Sequence, residues 1–285
     1  MPIGVLAVYA ALAIWIGLAV KGARGGGWRW FLLFGIGLML FLNVRYVIEG
    51  PAAGIAFFIG IYDVLINLGV TASSDLAAMG TCPDNACTVW GDTFAQHPGW
   101  AVAFYDRFAN GPELRSTLLL GHIVCNSIAF VLLHVQMFRP GGRYTNHRFI
   151  GQMSFGFLTV SLICAVWLAS QHGPVAEYGG GWAQYGFYSM AAFVYGTAIM
   201  GVAAIKGGDA AKHRIWMWRY AGAMWGSFWL FRVVLFVIDP IFRDVEALAI
   251  NVCIWGSAPA GILMAELIRR RLDAPVTRTA AVPAE

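Results

Sequence analysis

Residues 115–138, RSTLLLGHIVCNSIAFVLLHVQMF, then 139–148, RPGGRYTNHR, then 149–170, FIGQMSFGFLTVSLICAVWLAS, decide the fold. Two apolar runs flank a short loop rich in arginine and glycine. As helices rising about 1.5 Å per residue, each run is long enough to cross a hydrocarbon layer about 30 Å thick. Runs of the same kind occupy 2–20, 29–48, 184–205, 216–238 and 246–268. Lipid offers the backbone no hydrogen-bond partner, so segments of this type must satisfy themselves as helices. The expectation is an all-α, polytopic transmembrane helix bundle of about seven spans. Composition agrees: 59% of the chain is hydrophobic and 12% charged, against about 25% charged in soluble domains. The 12 Trp and 10 Tyr suit interfacial belts.

Charge sets the topology. Lys21, Arg24 and Arg29 lie between the first two runs, and Arg139, Arg143 and Arg148 between the third and fourth. Lys206, Lys212 and Arg214 lie between the fifth and sixth, and Arg269, Arg270 and Arg271 follow the last. With seven spans, all four clusters fall on one side, which the positive-inside rule makes cytoplasmic. The N-terminus is then outside and the C-terminus inside. The first run has no positive residue before it and no small-residue cleavage site, so it reads as a retained span rather than a leader. The net charge of +4 is spent on topology and gives no sign of nucleic-acid binding. These features place the chain in a bacterial inner membrane, as a multi-pass protein among lipids.

The organisation follows. Residues 1–50 form two N-terminal transmembrane helices. Residues 51–114 form an external region, residues 115–270 a five-helix core, and 271–285 a short Ala/Pro/Thr-containing cytoplasmic tail expected to be disordered. Within the external region, 52–71 begins after Pro51 and carries Asp63 and Asn67. It reads as an interfacial or re-entrant helix, with an eighth span as the alternative. Cys82 and Cys87 flank Pro83-Asp84-Asn85, and a pair on so short a turn can close a disulfide in an oxidising compartment; two free thiols are the alternative. Cys125, Cys164 and Cys253 read as small core residues. Gly222 and Gly226 form a G-x-x-x-G face for close helix packing.

Ionisable groups in hydrocarbon are costly, and each needs a reason. The candidates are His122, His134, His147, His213 and Arg232. His122 lies roughly 10 Å below the outer surface, and His134 roughly 18 Å further along the same helix, near the inner one. The twelve-residue step between them turns the helix about 120° beyond whole turns, so the two do not share a face. His147-Arg148 opens the fourth span and His213-Arg214 the sixth, both from the inner side, a weak internal echo. His97 and His172 read as loop residues. Two histidines facing each other from different helices can supply both axial ligands of a haem. His147 and His213 are the first choice for haem iron, with His134 an alternative partner to either. Arg148, Arg214 and Arg219 are placed to pair with propionates. Trp216, Trp218 and Phe155 would form apolar walls. The competing reading makes each His-Arg pair an interfacial anchor. His122, beside Asn126, is a ligand, a proton carrier or a helix-to-helix hydrogen bond. Arg232 needs a partner; Asp239, seven residues on, lies at nearly the opposite helical angle, and Asp63 and Glu246 are the alternatives. Its alternatives are a buried ion pair or a cationic floor for an anionic or quinone-like ligand.

No Walker loop, dinucleotide G-x-G-x-x-G, C-x-x-C or H-E-x-x-H is present. From residue 113 to about 238 the chain resembles a bacterial membrane-protein family of unknown function. The resemblance rests on Gly121-His122, Gln136, His147-Arg148 with Gly151, Gly208-Asp209, His213-Arg214, Trp216-Met217, Arg219 and Arg232. That family in turn resembles the two-haem cytochrome b superfamily of membrane redox bundles, whose core spans carry paired histidine ligands. The resemblance implies haem b, with quinone as a further ligand. A two-haem set needs two histidines per side, and the outer side offers only His122, so one haem is easier to support than two. Three functions remain open: a redox subunit exchanging electrons with quinol or a partner, a structural or assembly subunit of a larger membrane complex, and a small-molecule transporter.

Overall fold

The computed structural model describes residues 3–51, 53–54, 107–108, 111–138, 146–171, 181–234 and 246–273. Regular structure among them is helical throughout. Helices α1 (Ile3–Ala23), α2 (Trp28–Ile48), α3 (Glu113–Phe138), α4 (His147–Ser170), α5 (Gly181–Lys206) and α7 (Glu246–Asp273) each contain a stretch long and apolar enough to cross a membrane. The remaining expected span, 216–238, is helix α6 (Ala210–Trp225), followed by a π-helical turn, Gly226–Leu230, and a short turn, Phe231–Val233. This helix starts earlier than the hydropathy suggests because Lys212, His213 and Arg214 occupy its first turns. Asp209 caps it, its carboxylate accepting the Lys212 N–H at 2.8 Å. Helix α7 continues through Asp273, into the stretch expected to be tail. Arg269 bonds Asp273 one turn on at 2.8 Å and holds that last turn. The 52–71 segment, Cys82, Cys87 and the rest of the tail lie outside the described residues.

Many outward-facing side chains are large and apolar; Ile163 of α4 is 65% exposed and Leu263 of α7 66%. In water such helices would aggregate, whereas in lipid they are matched to their solvent. Inside, Trp15, Phe31, Phe130, Trp225 and Trp229 form a buried aromatic spine. Adjacent rings stand 4.9 Å (Phe31–Trp225) to 6.5 Å (Phe130–Trp229) apart.

The basic helix ends gather at one end of the bundle. Trp28 meets Trp218 at 5.6 Å, Arg214 bonds Asp273 at 2.7 Å, and the His147 and His213 rings stand 6.5 Å apart. Lys21, Arg24, Arg29, Arg148, Lys206, Lys212, Arg214 and Arg269–Arg271 belong to these ends. Helix α2 leaves this end and α3 returns to it, so the chain between them starts and finishes at the opposite end.

Helices α3 and α4 form an antiparallel pair pinned by three polar rungs. His122 Nδ1 meets the Ser161 hydroxyl at 2.9 Å, Ser154 donates to the Ala129 carbonyl at 3.0 Å, and Gln136 donates to the His147 carbonyl at 2.8 Å. Each rung lies seven residues further along one helix and seven back along the other, the period of a left-handed helix pair. Small residues let the pair close: a Cβ on Gly151 would stand 3.2 Å from the Gln136 amide nitrogen. Asn43 of α2 ties in by donating to Ser127 at 3.0 Å. The G-x-x-x-G face of α6 meets its partner in α7: a Cβ on Gly222 would lie 2.5 Å from the Gly261 carbonyl oxygen, and one on Gly226 would strike the Ser257 carbonyl. Backbones this close need glycine on both sides.

Candidate functional site

His134 is buried completely, and both of its ring nitrogens are engaged. Trp225 Nε1–H stands 2.8 Å from Nε2. An indole N–H only donates, so Nε2 accepts and the proton sits on Nδ1, which donates to the Phe130 carbonyl at 2.6 Å. The imidazole stacks on Phe130 at 4.0 Å. His134 is thus a neutral link between α3 and α6, and the nitrogen that would bind iron is taken by Trp225.

His122 turns to the other neighbour. Its Nδ1 lies 2.9 Å from the Ser161 hydroxyl and 3.1 Å from the Ser161 carbonyl, and the hydroxyl also approaches the His122 carbonyl at 3.2 Å. This is the helix-to-helix bond among the three roles open to it, and it commits one ring nitrogen. The two α3 histidines therefore face different helices, as their angular separation requires.

The basic end is arranged differently. His147 opens α4 and is exposed; His213, in the first turn of α6, is half-buried. Their rings lie 6.5 Å apart and nearly perpendicular, at 85°. His213 Nδ1–H donates to the Gly201 carbonyl of α5 at 2.8 Å, which fixes the ring and leaves Nε2 as the lone-pair nitrogen. Gln136 fixes the backbone of His147 from α3. Two further helices, α3 and α5, thus aim the pair. Around it, Arg148 is exposed. Arg214 is bound to Asp273, and Arg219 lies 3.8 Å from Glu266 and 4.6 Å from the centre of the Trp216 ring. Glu266 also takes Arg269 at 2.6 Å and Arg270 at 2.9 Å, so the carboxylates of α7 collect most of the local arginines.

Arg232 follows the π turn. It donates to the Phe228 carbonyl at 2.7 Å and lies 5.4 Å from that ring's centre. Tyr46 and His122 stand within its electrostatic reach. Asp63 and Asp239 lie outside the described residues. Among the described residues, no three of His, Cys, Asp and Glu gather into a metal site.

With this geometry in view, residues 119–269 match the model of a family described as "Predicted membrane protein (DUF2306)". The chain belongs to this family. No curated protein and no solved structure matches it. The DUF2306 region runs from Leu119 in α3 to Arg269 near the end of α7, so it contains His122, His134, both histidines of the basic end, and Arg232. Helices α1 and α2 lie outside it. The match extends past 238, where the sequence resemblance stops, and takes in α7, whose Glu266 and Gly261 complete the basic end and the close crossing. Sequence reasoning missed the partners Trp225 and Ser161. Ser154 and Ser161 do follow His147 at seven-residue intervals, a visible signal for the polar rungs.

Proposed function

We propose that this DUF2306 protein is a redox subunit of a bacterial inner membrane, in which His147 and His213 hold one b-type haem at the basic, cytoplasmic end. The observation that carries the reading is the 6.5 Å separation of the two rings. Two imidazoles sharing one metal atom, each at a bond of about 2 Å, bring their ring centres to roughly 6 Å. A second observation supports it: the Gly201 carbonyl holds His213 Nδ1, as outer-shell acceptors do for metal-binding histidines. Bound at this place, a haem with two imidazole ligands would supply one-electron transfer, exchanged with quinol or a partner subunit.

The chain's own residues divide the remaining work. Arg148 is exposed at the site and is the candidate for a propionate. Arg214 and Arg219, already paired with Asp273 and Glu266, keep the end positive and locked to α7. Trp216 supplies an apolar wall, and Arg232 at the other end is the candidate contact for a quinone. One haem is proposed and not two, because Trp225 takes His134 Nε2 and no other histidine lies within the outer part of the spans to pair with His122.

The bonds of His122 to Ser161 and of His134 to Trp225 favour a second reading, a structural or assembly subunit, in which all four histidines serve packing and anchoring. A pyridine haemochrome assay on protein purified in mild detergent from haem-supplied cells separates the two. Stoichiometric haem b supports the redox reading; folded protein without haem leaves the structural one.

A further inference from the structure

Trp15 of α1 and Trp229 of the π turn raise a problem that the bundle leaves open. Their side chains are 1% and 0% exposed, and their ring centres lie 5.7 Å apart. Neither Nε1–H finds an acceptor among the described residues. Both nitrogens converge on one spot: from the point where a Cβ on Gly35 of α2 would stand, Trp15 Nε1 is 3.2 Å away and Trp229 Nε1 3.3 Å. An indole N–H can only donate, and leaving it unpaired in apolar surroundings costs about 1–3 kcal/mol. Lipid cannot relieve that cost. Trp225, 1% exposed, shows the contrast, because its N–H goes to His134.

We propose that a water molecule sits beside Gly35, at the junction of α1, α2 and the π turn, accepting a hydrogen bond from each indole. Two convergent donors call for one oxygen acceptor. Its small size follows from the walls: Trp15, Phe31 and Trp229 are sealed from outside, leaving no passage for a quinone ring or a lipid ester. Water also carries two protons to return. Trp229 reaches this junction from the π turn, Gly226–Leu230, whose i→i+5 winding departs from the regular helix. Gly35 is the residue that keeps the space, since any Cβ there would crowd both nitrogens. Trp15 and Gly35 belong to the N-terminal hairpin outside the DUF2306 region, and Trp229 to that region. The water therefore joins the added hairpin to the family core, as buried waters join otherwise unpaired polar groups elsewhere.

Radiolytic hydroxyl-radical footprinting of the purified protein, read residue by residue by mass spectrometry, tests this directly, because an ordered internal water delivers radicals to side chains that bulk solvent cannot reach. The expected result is several-fold more modification at Trp15 and Trp229 than at the equally buried Trp225. In Gly35→Ala that excess should vanish at both positions. If Gly35→Ala does not fold, Trp15→Phe serves, with modification of Trp229 falling toward the Trp225 level. Modification of Trp15 and Trp229 no greater than that of Trp225 in the folded wild-type protein would overturn the proposal. So would a stoichiometric carbonyl-bearing lipid extracted from the wild-type protein and absent from Gly35→Ala.

Discussion

The histidines of α3 and those of the basic end are the same side chain put to opposite uses. His122 and His134 lie within a membrane-spanning helix, where an unpaired imidazole nitrogen is costly, and each is tied to a neighbouring helix through Ser161 or Trp225. His147 and His213 lie at helix ends near water, where the same cost is small. There the chain holds one ring through Gly201 and lets the pair face each other. Burial, rather than depth in the membrane, separates the two uses. The most completely buried histidine, His134, is the most fully occupied by the protein, and the more exposed pair is the proposed ligand pair.

The contrast can be broken by substitution, and the effects should be graded. The largest belongs to His134→Ala. It strands the Trp225 N–H and opens a cavity beside Phe130, so a loss of about 2–4 kcal/mol is expected, read as a fall in apparent melting temperature in detergent. His147→Ala, compared with the wild type in haem-free protein so that ligand stabilisation does not enter, should leave the melting temperature nearly unchanged, and equal losses in the two variants would erase the distinction. Next comes the α6–α7 crossing, where Gly226→Ala forces a methyl group onto the Ser257 carbonyl and should cost about 1–3 kcal/mol, with the helices pushed apart. Ser161→Ala removes one polar rung of the α3–α4 pair and should cost about 0.6 kcal/mol, the mean for hydrogen bonds between membrane helices. The smallest effect is expected of Arg214→Gln, whose ion pair with Asp273 is exposed; a change of about 0–1 kcal/mol that fades at high salt should appear in a thermal scan across ionic strength.

The spans were legible because hydropathy over a window the width of the bilayer is a property of the chain alone, and the charged clusters told which helix ends lie together. The early start of α6 was hidden by Lys212, His213 and Arg214, which depress hydropathy although Asp209 caps a helix there. The candidate histidines were legible as types and depths. Their partners were not, because whether His134 meets Trp225 depends on how two helices are rotated and registered against each other, which no local pattern states. Trp229 depends further on a π turn that re-aims one side chain within an otherwise regular helix.

The measurement that tests the account most directly is the reduced-minus-oxidised absorption spectrum of the four single variants His122→Ala, His134→Ala, His147→Ala and His213→Ala, each taken on its folded fraction and normalised to protein. The account predicts that sharp b-type α and β bands disappear from the His147 and His213 variants and persist in the His122 and His134 variants. Bands that survive loss of both His147 and His213, or that vanish with His122 or His134, would contradict it.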